Sequence, residues 1–568
     1  MSRAANLGCD FERRRGLAPL RYRDRMATRA WVAVVLQVRR ESIGDASARL
    51  EDPAPPVRRR RSRSRRNRGC ALGMLCASML ASAPATAAPE PGFGFESVRT
   101  MARDLAQQPF RSPEKTVPDY LLDLDYDAHR DIRFKPARAI WRDKGLPFQL
   151  QLFHLGLFFN RPVAIHLVEA GVARPLAFDP TLFDYGRNRF PEPLPPDLGY
   201  AGLRVHSRIN RPDYFDEVIV FVGASYFRAV AKNLHYGLSA RGIAIDTAID
   251  GPEEFPYFKA FWVVEPAPRA KQIVIYALLD GPSVTGAYRF VVEPGKDTVA
   301  AVQATVYPRS RPRRFGIAPL TSMFWHAESS QTDFGDFRPR VHDSDGLLMQ
   351  AGSGEWIWRP LRNPMQLELS AFQDRNPRGF GLLQRERDFV FYQDLEAQYQ
   401  TRPSAWVEPV GDWGPGSVTL VEMPSEIETN DNIVAFWEPK AGLKPGEPYD
   451  FAYRLHWYGD EPARPPRGRT LGTWIGAIHD SNDTRFVIDF GGGEFSKLAP
   501  GAPVTASVTA GPGGVVRDVV TQRNEFTRGW RVAFRLANDD AEGPIELRCF
   551  LATQDRVLTE TWTYRWTP

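Results

Sequence analysis

The stretch His342-Asp343-Ser344-Asp345-Gly346 sets one imidazole and two carboxylates side by side. Such a set can hold a metal, shape a turn or take part in acid–base chemistry. A metal site would draw on His342, Asp343 and Asp345. On a continuous strand Asp343 and Asp345 share one face while His342 lies on the other, and no second histidine cluster stands nearby to complete a coordination shell. No metal is therefore expected. As a turn, Asp345 caps its own backbone and Gly346 supplies a positive φ. Asp343 is left over, at the end of a short strand-like run, where it could act as a catalytic carboxylate. Hydrolysis of a glycosidic bond needs a pair of such groups, one acid and one base or nucleophile. Asp374, Glu386, Asp388, Asp394, Glu408 and Asp431 are all candidates for the second. Residue type and spacing do not choose among them, and RERD (385–388) also reads as an ion-paired surface face.

Aromatic residues point toward the same class of ligand. They make up 12% of the chain, and many tryptophans between residues 320 and 440 adjoin polar groups: Trp325, Trp356, Trp358, Trp406, Trp413 and Trp437. Sugar rings have apolar faces and hydroxyl edges, which aromatic platforms flanked by polar groups fit. A large β core would also consume such residues one by one. Other chemistries lack their signatures. GASYFRA (223–229) is not a nucleophile elbow, and there is no P-loop or dinucleotide fingerprint.

The elements that must position these groups are mostly strands. FQLQLFHLGLFF (148–159), VAIHLVEAG (163–171), EVIVFVGASYF (217–227), QIVIYALLD (272–280) and YRFVVEP (288–294) are short β-like runs between Pro/Gly turns, as in a large sandwich or barrel. FESVRTMARDLAQQPF (95–110) is a single amphipathic helix, with Phe95, Val98, Met101, Leu105 and Phe110 at helical spacing. PKAGLKPGEPYD (439–450) reads as a linker and marks a boundary at residue 440. From 441 to 568 come about six or seven further strands, a count suited to an immunoglobulin-like sandwich. The sequence thus predicts an all-β chain, with a large domain over 89–440 and a smaller one after it.

Composition limits the setting. The net charge is +5, yet residues 89–568 carry 54 Lys and Arg against 61 Asp and Glu, a net of −7. The basic excess lies in residues 1–88, which removes support for nucleic-acid binding. Within that leader, Arg58 to Arg68 is densely basic, Cys70 to Ala88 is modestly apolar, and Ala85-Thr86-Ala87 fits a cleavage site. An export signal peptide and a periplasmic mature protein are expected. Ser64-Arg65-Arg66 hints at a twin-arginine signal but lacks the usual apolar residues after it. Of Cys9, Cys70, Cys76 and Cys549, only the last outlives cleavage, so no internal disulfide is expected.

A set of long, ordered stretches carries a family resemblance: QLFHLG (151–156), FVGASYFRAV (221–230), HYGLSARGIAIDT (235–247), GIAPLTSMFW (316–325), RPRVHDSDGLL (338–348), GEWIWRPL (354–361), YQDLEAQYQTRPSAWVEP (392–409) and DNIVAFW (431–437). From about Phe93 to Pro568 the chain resembles the osmoregulated periplasmic glucan biosynthesis proteins of the MdoG/OpgG and OpgD type. The resemblance implies a galactose-mutarotase-like β-sandwich followed by an immunoglobulin-like one, and a part in making β-1,2-glucans. Some members resemble inverting endo-β-1,2-glucanases. Carried onto this sequence, the Asp of DNIV, Asp431, would be the general acid and the first Asp of HDSD, Asp343, the general base. Tyr399, Arg402, Trp406, Trp325 and Trp356 are the expected sugar contacts. No cofactor is expected. The expected partners are β-1,2-glucan, an inner-membrane glucosyltransferase and a second copy in a homodimer. A non-catalytic glucan-binding or scaffolding role is the alternative, with mutarotase or transglycosylase activity as a third reading.

Overall fold

The computed structural model describes residues 92–330, 335–460, 464–498, 501–537, 543–554 and 556–568. The leader with its expected signal peptide lies outside them. The described chain is nearly all β, as its alternating apolar runs require. The longest strand, Thr298–Pro308, shows why: its buried residues alternate with more exposed ones over most of its length, one face turned to the core.

Two extended sheets form the large body. One runs in the order Phe148–Phe153, Gly202–Ser207, Asp216–Val222, Tyr226–Ala229, Ser239–Arg241, Phe315–Ser322, Ile433–Pro439, Pro415–Glu422 and Glu368–Arg375, with Ile243–Ile245 also paired to Phe315–Ser322. The second contains fourteen strands. Leu203, Ile219, Phe221, Ile317 and Trp437 of the first sheet share one apolar core with Phe261, Ile275, Phe290, Val302 and Trp457 of the second. The pair is a sandwich, two apolar faces each burying the other.

The helix Phe95–Ala106 packs outside this sandwich and buries Val98 and Ala102 against a cluster with Trp262 and Tyr276. It stops short of Phe110, consistent with Pro109, which disfavours helical backbone in the residue before it. Met101, expected on the buried stripe, is exposed, and the small side chain of Ala102 faces the sheet instead.

The strand Tyr449–Tyr458 pairs with Thr298–Pro308 on one side and Ser404–Val410 on the other. The large sheet's hydrogen-bonded frame therefore runs through the residue-440 boundary, and PKAGLKPGEPYD joins two strands of the sandwich. Further on, Thr561–Trp566 pairs in parallel with Trp356–Pro360 and carries Ile545–Ala552 and Thr505–Ala510 onto the same sheet's end. Facing them is a separate four-stranded sheet, ordered Arg469–Ala477, Thr484–Gly491, Gly529–Ala537, Val515–Asn524. Between lies a second core of Phe486, Phe534, Leu547, Trp562 and Tyr564, which also takes in Trp356, Trp358 and Trp406.

Candidate active site

Asp343 follows the two-residue strand Val341–His342, which pairs with Phe324–His326. The strand breaks there, and the Asp343 amide donates to the Met323 carbonyl at 2.8 Å. Asp431 precedes the strand Ile433–Pro439. Its neighbour Asn432 grips the next residue of the same segment. Asn432 Oδ1 accepts from the Phe324 amide, and its Nδ2 donates to the Phe324 carbonyl, both at 2.9 Å. The segments that carry Asp343 and Asp431, 88 positions apart, are thus tied through the Asp343 amide and the Asn432 side chain to adjacent residues, Met323 and Phe324.

Each carboxylate meets an arginine. Arg402 Nε lies 3.6 Å from Asp343 Oδ1, and Arg228 Nη2 lies 3.5 Å from Asp431 Oδ2; all four side chains are at most 8% exposed. Arg228 comes from the strand Tyr226–Ala229, where Tyr226 pairs across to Arg241. Arg241 donates to Thr321 Oγ1 at 2.9 Å and to Glu253 at 2.6 Å. Burial works against charge on Arg241, but Tyr226, Glu253 and Asp431 outweigh it and hold the guanidinium cationic. Burial pushes the Tyr226 phenol up, with Arg241 opposing and Glu253 and Asp431 adding to the rise.

On the Asp343 side, the Arg402 guanidinium lies 5.5 Å from the centre of the Tyr399 ring. Tyr399 OH donates to Glu428 at 3.1 Å, and Glu428 pairs with Arg338 at 2.7 Å. Arg338 also holds Asp336 and Asp394, each at 2.8 Å. Trp325 packs with Met323, Val341, Tyr392 and Tyr399. Of the expected sugar contacts, Tyr399, Arg402 and Trp325 therefore gather beside Asp343. Trp356 and Trp406 do not join that cluster. They stack on each other, 5.6 Å between centroids, within the second core, where Gly379 leaves room for the Trp406 indole.

The rest of the HDSDG motif departs from expectation in three ways. Because the strand breaks after His342, His342 Nε2 comes within 3.5 Å of Asp345 Oδ1 instead of facing away. Gln384 fixes the imidazole. Its amide nitrogen donates to the carbonyls of His342 and Tyr399, so its oxygen faces His342 Nδ1 at 2.9 Å, and that nitrogen carries the proton. Burial pushes His342 down to about 4, more than Asp345 can restore. Asp345 caps the amides of Arg385 and Glu386, not its own turn. Burial raises its pKa, yet His342, Arg340 and the two amides together draw it below the usual carboxylate range. Gly346 opens the strand Gly346–Gln350 with no positive φ. A Cβ there would collide with the Trp358 indole, so close packing is what demands glycine.

Among the described residues, no group of three or more His, Cys, Asp or Glu is arranged to hold a metal ion. The residues missed from sequence are Arg228, Arg241, Glu253, Asn432, Gln384, Glu428 and Arg338. An arginine inside an otherwise apolar β run, as in YFRA and SAR, is the signal that marks Arg228 and Arg241, because a buried cation requires a carboxylate partner.

No helix among the described residues is long and apolar enough to cross a membrane. The family model described as periplasmic glucan biosynthesis protein, MdoG, matches residues 93–566. The glucans biosynthesis protein G of Rhodopseudomonas palustris strain BisA53 is 49% identical over 487 residues, covering 85% of this chain and 96% of that protein. That of Ralstonia nicotianae is 48% identical over 87% of this chain and 98% of its own, and that of Pseudomonas aeruginosa PAO1 45% identical over 84% and 94%. The chain belongs to the MdoG family of periplasmic glucan biosynthesis proteins.

Proposed function

We propose that this protein works in the periplasm as an inverting endo-β-1,2-glucanase that trims the glucan backbone during its synthesis. Asp431 protonates the glycosidic oxygen, directly or through a hydroxyl or water relay, and Asp343 deprotonates the attacking water. The carrying observation is that the Asp343 backbone and the side chain of Asn432, next to Asp431, are both anchored on the adjacent residues Met323 and Phe324, since acid and base must be held at a fixed separation across one bond. Tyr399 and Arg402 are buried beside Asp343 and, with Trp325, would meet a sugar once the segments covering them move. The test is release of reducing ends from linear β-1,2-glucan by the mature protein and by Asp343→Asn and Asp431→Asn. Each substitution is expected to lower kcat by 10²-fold or more. Equal activity in all three sinks the assignment.

One observation favours a second reading. Asp343 is 1% exposed, so substrate reaches it only if covering segments move. A glucan-binding factor that receives the polymer from an inner-membrane glucosyltransferase has no need of such an opening. That role predicts tight glucan binding, no new reducing ends, and normal glucan synthesis in a strain carrying Asp431→Asn.

A further inference from the structure

A cavity of about 800 Å³ opens between the four-stranded sheet and the segment around Arg385 to Phe391. Small-molecule sites span ~300–1,000 Å³. Leu471 and Trp474, on the strand Arg469–Ala477, line it and are 40% and 39% exposed. Phe526, on the turn after Val515–Asn524, lies wholly in solvent at its rim. An exposed indole on a cavity wall is a platform for a flat apolar face. The guanidinium of Arg531 lies 5.6 Å from the Trp474 ring centre and helps fix it.

Five arginines line the cavity, which by count alone would suit an anion. Each already has a carboxylate. Arg340 pairs with Glu328 at 2.8 Å, Arg385 with Glu560 at 2.7 Å and Arg469 with Asp460 at 2.8 Å. Arg523 pairs with Glu525 at 3.1 Å and Arg531 with Asp489 at 2.7 Å. A phosphate or carboxylate site reserves its cations for the ligand. Here the charges cancel, leaving a wall of compensated donors and acceptors, with Asn524 and Gln522 among them, beside an aromatic face. An uncharged molecule with many hydroxyls and an apolar face fits that surface.

We propose that this cavity binds a stretch of neutral saccharide chain, at a site separate from Asp343 and Asp431. It backs onto the HDSDG motif: Arg340 lines it and reaches Asp345 at 3.6 Å, and the Arg385 and Glu386 amides that Asp345 caps form its edge. A polymer held here is held by the same molecule that carries the candidate acid and base. That the saccharide is β-1,2-glucan rests on the function proposed above; the cavity's preference for a neutral saccharide does not.

The test is calorimetric titration of long linear β-1,2-, β-1,3- and β-1,4-glucans, and separately of inorganic phosphate, into the mature protein in an Asp343→Asn background. Trp474→Ala is expected to weaken long-chain β-1,2-glucan about tenfold, while Trp474→Phe stays within twofold of the parent. In the otherwise native protein, Trp474→Ala should leave cleavage of short β-1,2-oligosaccharides unchanged. Dependence on Trp474 with another glucan only would support the cavity as a saccharide site and overturn its assignment to β-1,2-glucan, leaving the glucanase reading to the reducing-end assay. Affinities for every glucan within twofold of the parent in Trp474→Ala, or Trp474-dependent binding of phosphate in place of glucan, would overturn the cavity proposal.

Discussion

Asn432 carries more of the site than its size indicates. It is 2% exposed, and its side-chain amide satisfies the amide and carbonyl of Phe324 and, at 3.0 Å, the carbonyl of Met423. Removing one partner of a buried hydrogen bond leaves the other desolvated, at ~1–3 kcal/mol. Asn432→Ala is therefore expected to lower the urea midpoint. On the catalytic reading it should also reduce kcat on β-1,2-glucan more than it changes KM, because it loosens the segment between the two carboxylates. An Asn432→Ala protein with unchanged unfolding would show that the amide is not structural. In the sequence Asp431 stands out as a candidate acid, whereas nothing local marks Asn432. The amide's role depends on Phe324, 108 positions away, and no local pattern encodes that meeting.

At the scale of elements, the strands were legible because alternation and Pro/Gly punctuation are local signals. Their neighbours were not. Ser239–Arg241 sits beside Phe315–Ser322, and Thr298–Pro308 beside Tyr449–Tyr458; such pairings are settled by which faces bury one another. The same limit applies to Trp356 and Trp406. Their polar flanks read as a sugar platform, but adjacency in sequence alternates faces along a strand, and both indoles point into the second core. It applies also to Gly346, where the turn chemistry of D-S-D-G is plausible locally and yet packing against Trp358 decides. Gly346→Ala tests that account. A Cβ would meet the indole and approach the Arg359 carbonyl within 2.8 Å. Neither yields easily, since Arg385 stacks on Trp358 at 3.5 Å and Arg359 is in a paired strand. Overpacking of this kind costs about 1–3 kcal/mol, which a shift in the denaturation midpoint would register. A glycine needed only for φ freedom would leave that midpoint nearly unchanged, since φ here is not positive.

For the molecule as a whole, buried histidines set an acid limit on stability. Burial pushes His129, His154 and His342 down to about 4 and His206 to about 3, with His154 adding to the effect on His129 and Arg204 to that on His206. Attraction to Asp345 at His342, and backbone acceptors such as the Leu155 carbonyl beside His154, only partly oppose it. An unfolded chain returns each imidazole to about 6.5. Below that pH the unfolded state binds protons that the native state refuses, so stability is full above ~6.5 and falls as pH drops toward ~4. Each such histidine contributes a slope of up to ~1.4 kcal/mol per pH unit inside that window. Urea midpoints are expected to be level near pH 7 to 8 and to fall steeply from pH 6.5 to 4.5. His154→Phe keeps an aromatic ring among Phe178, Phe183 and Tyr185 while deleting one titrating group. It should flatten the slope by about one proton, whatever it does to stability at pH 7. A midpoint that holds steady or rises as pH falls from 6.5 to 4.5 would mean that these imidazoles take up protons in the folded chain, and that their burial does not govern how the protein meets acid.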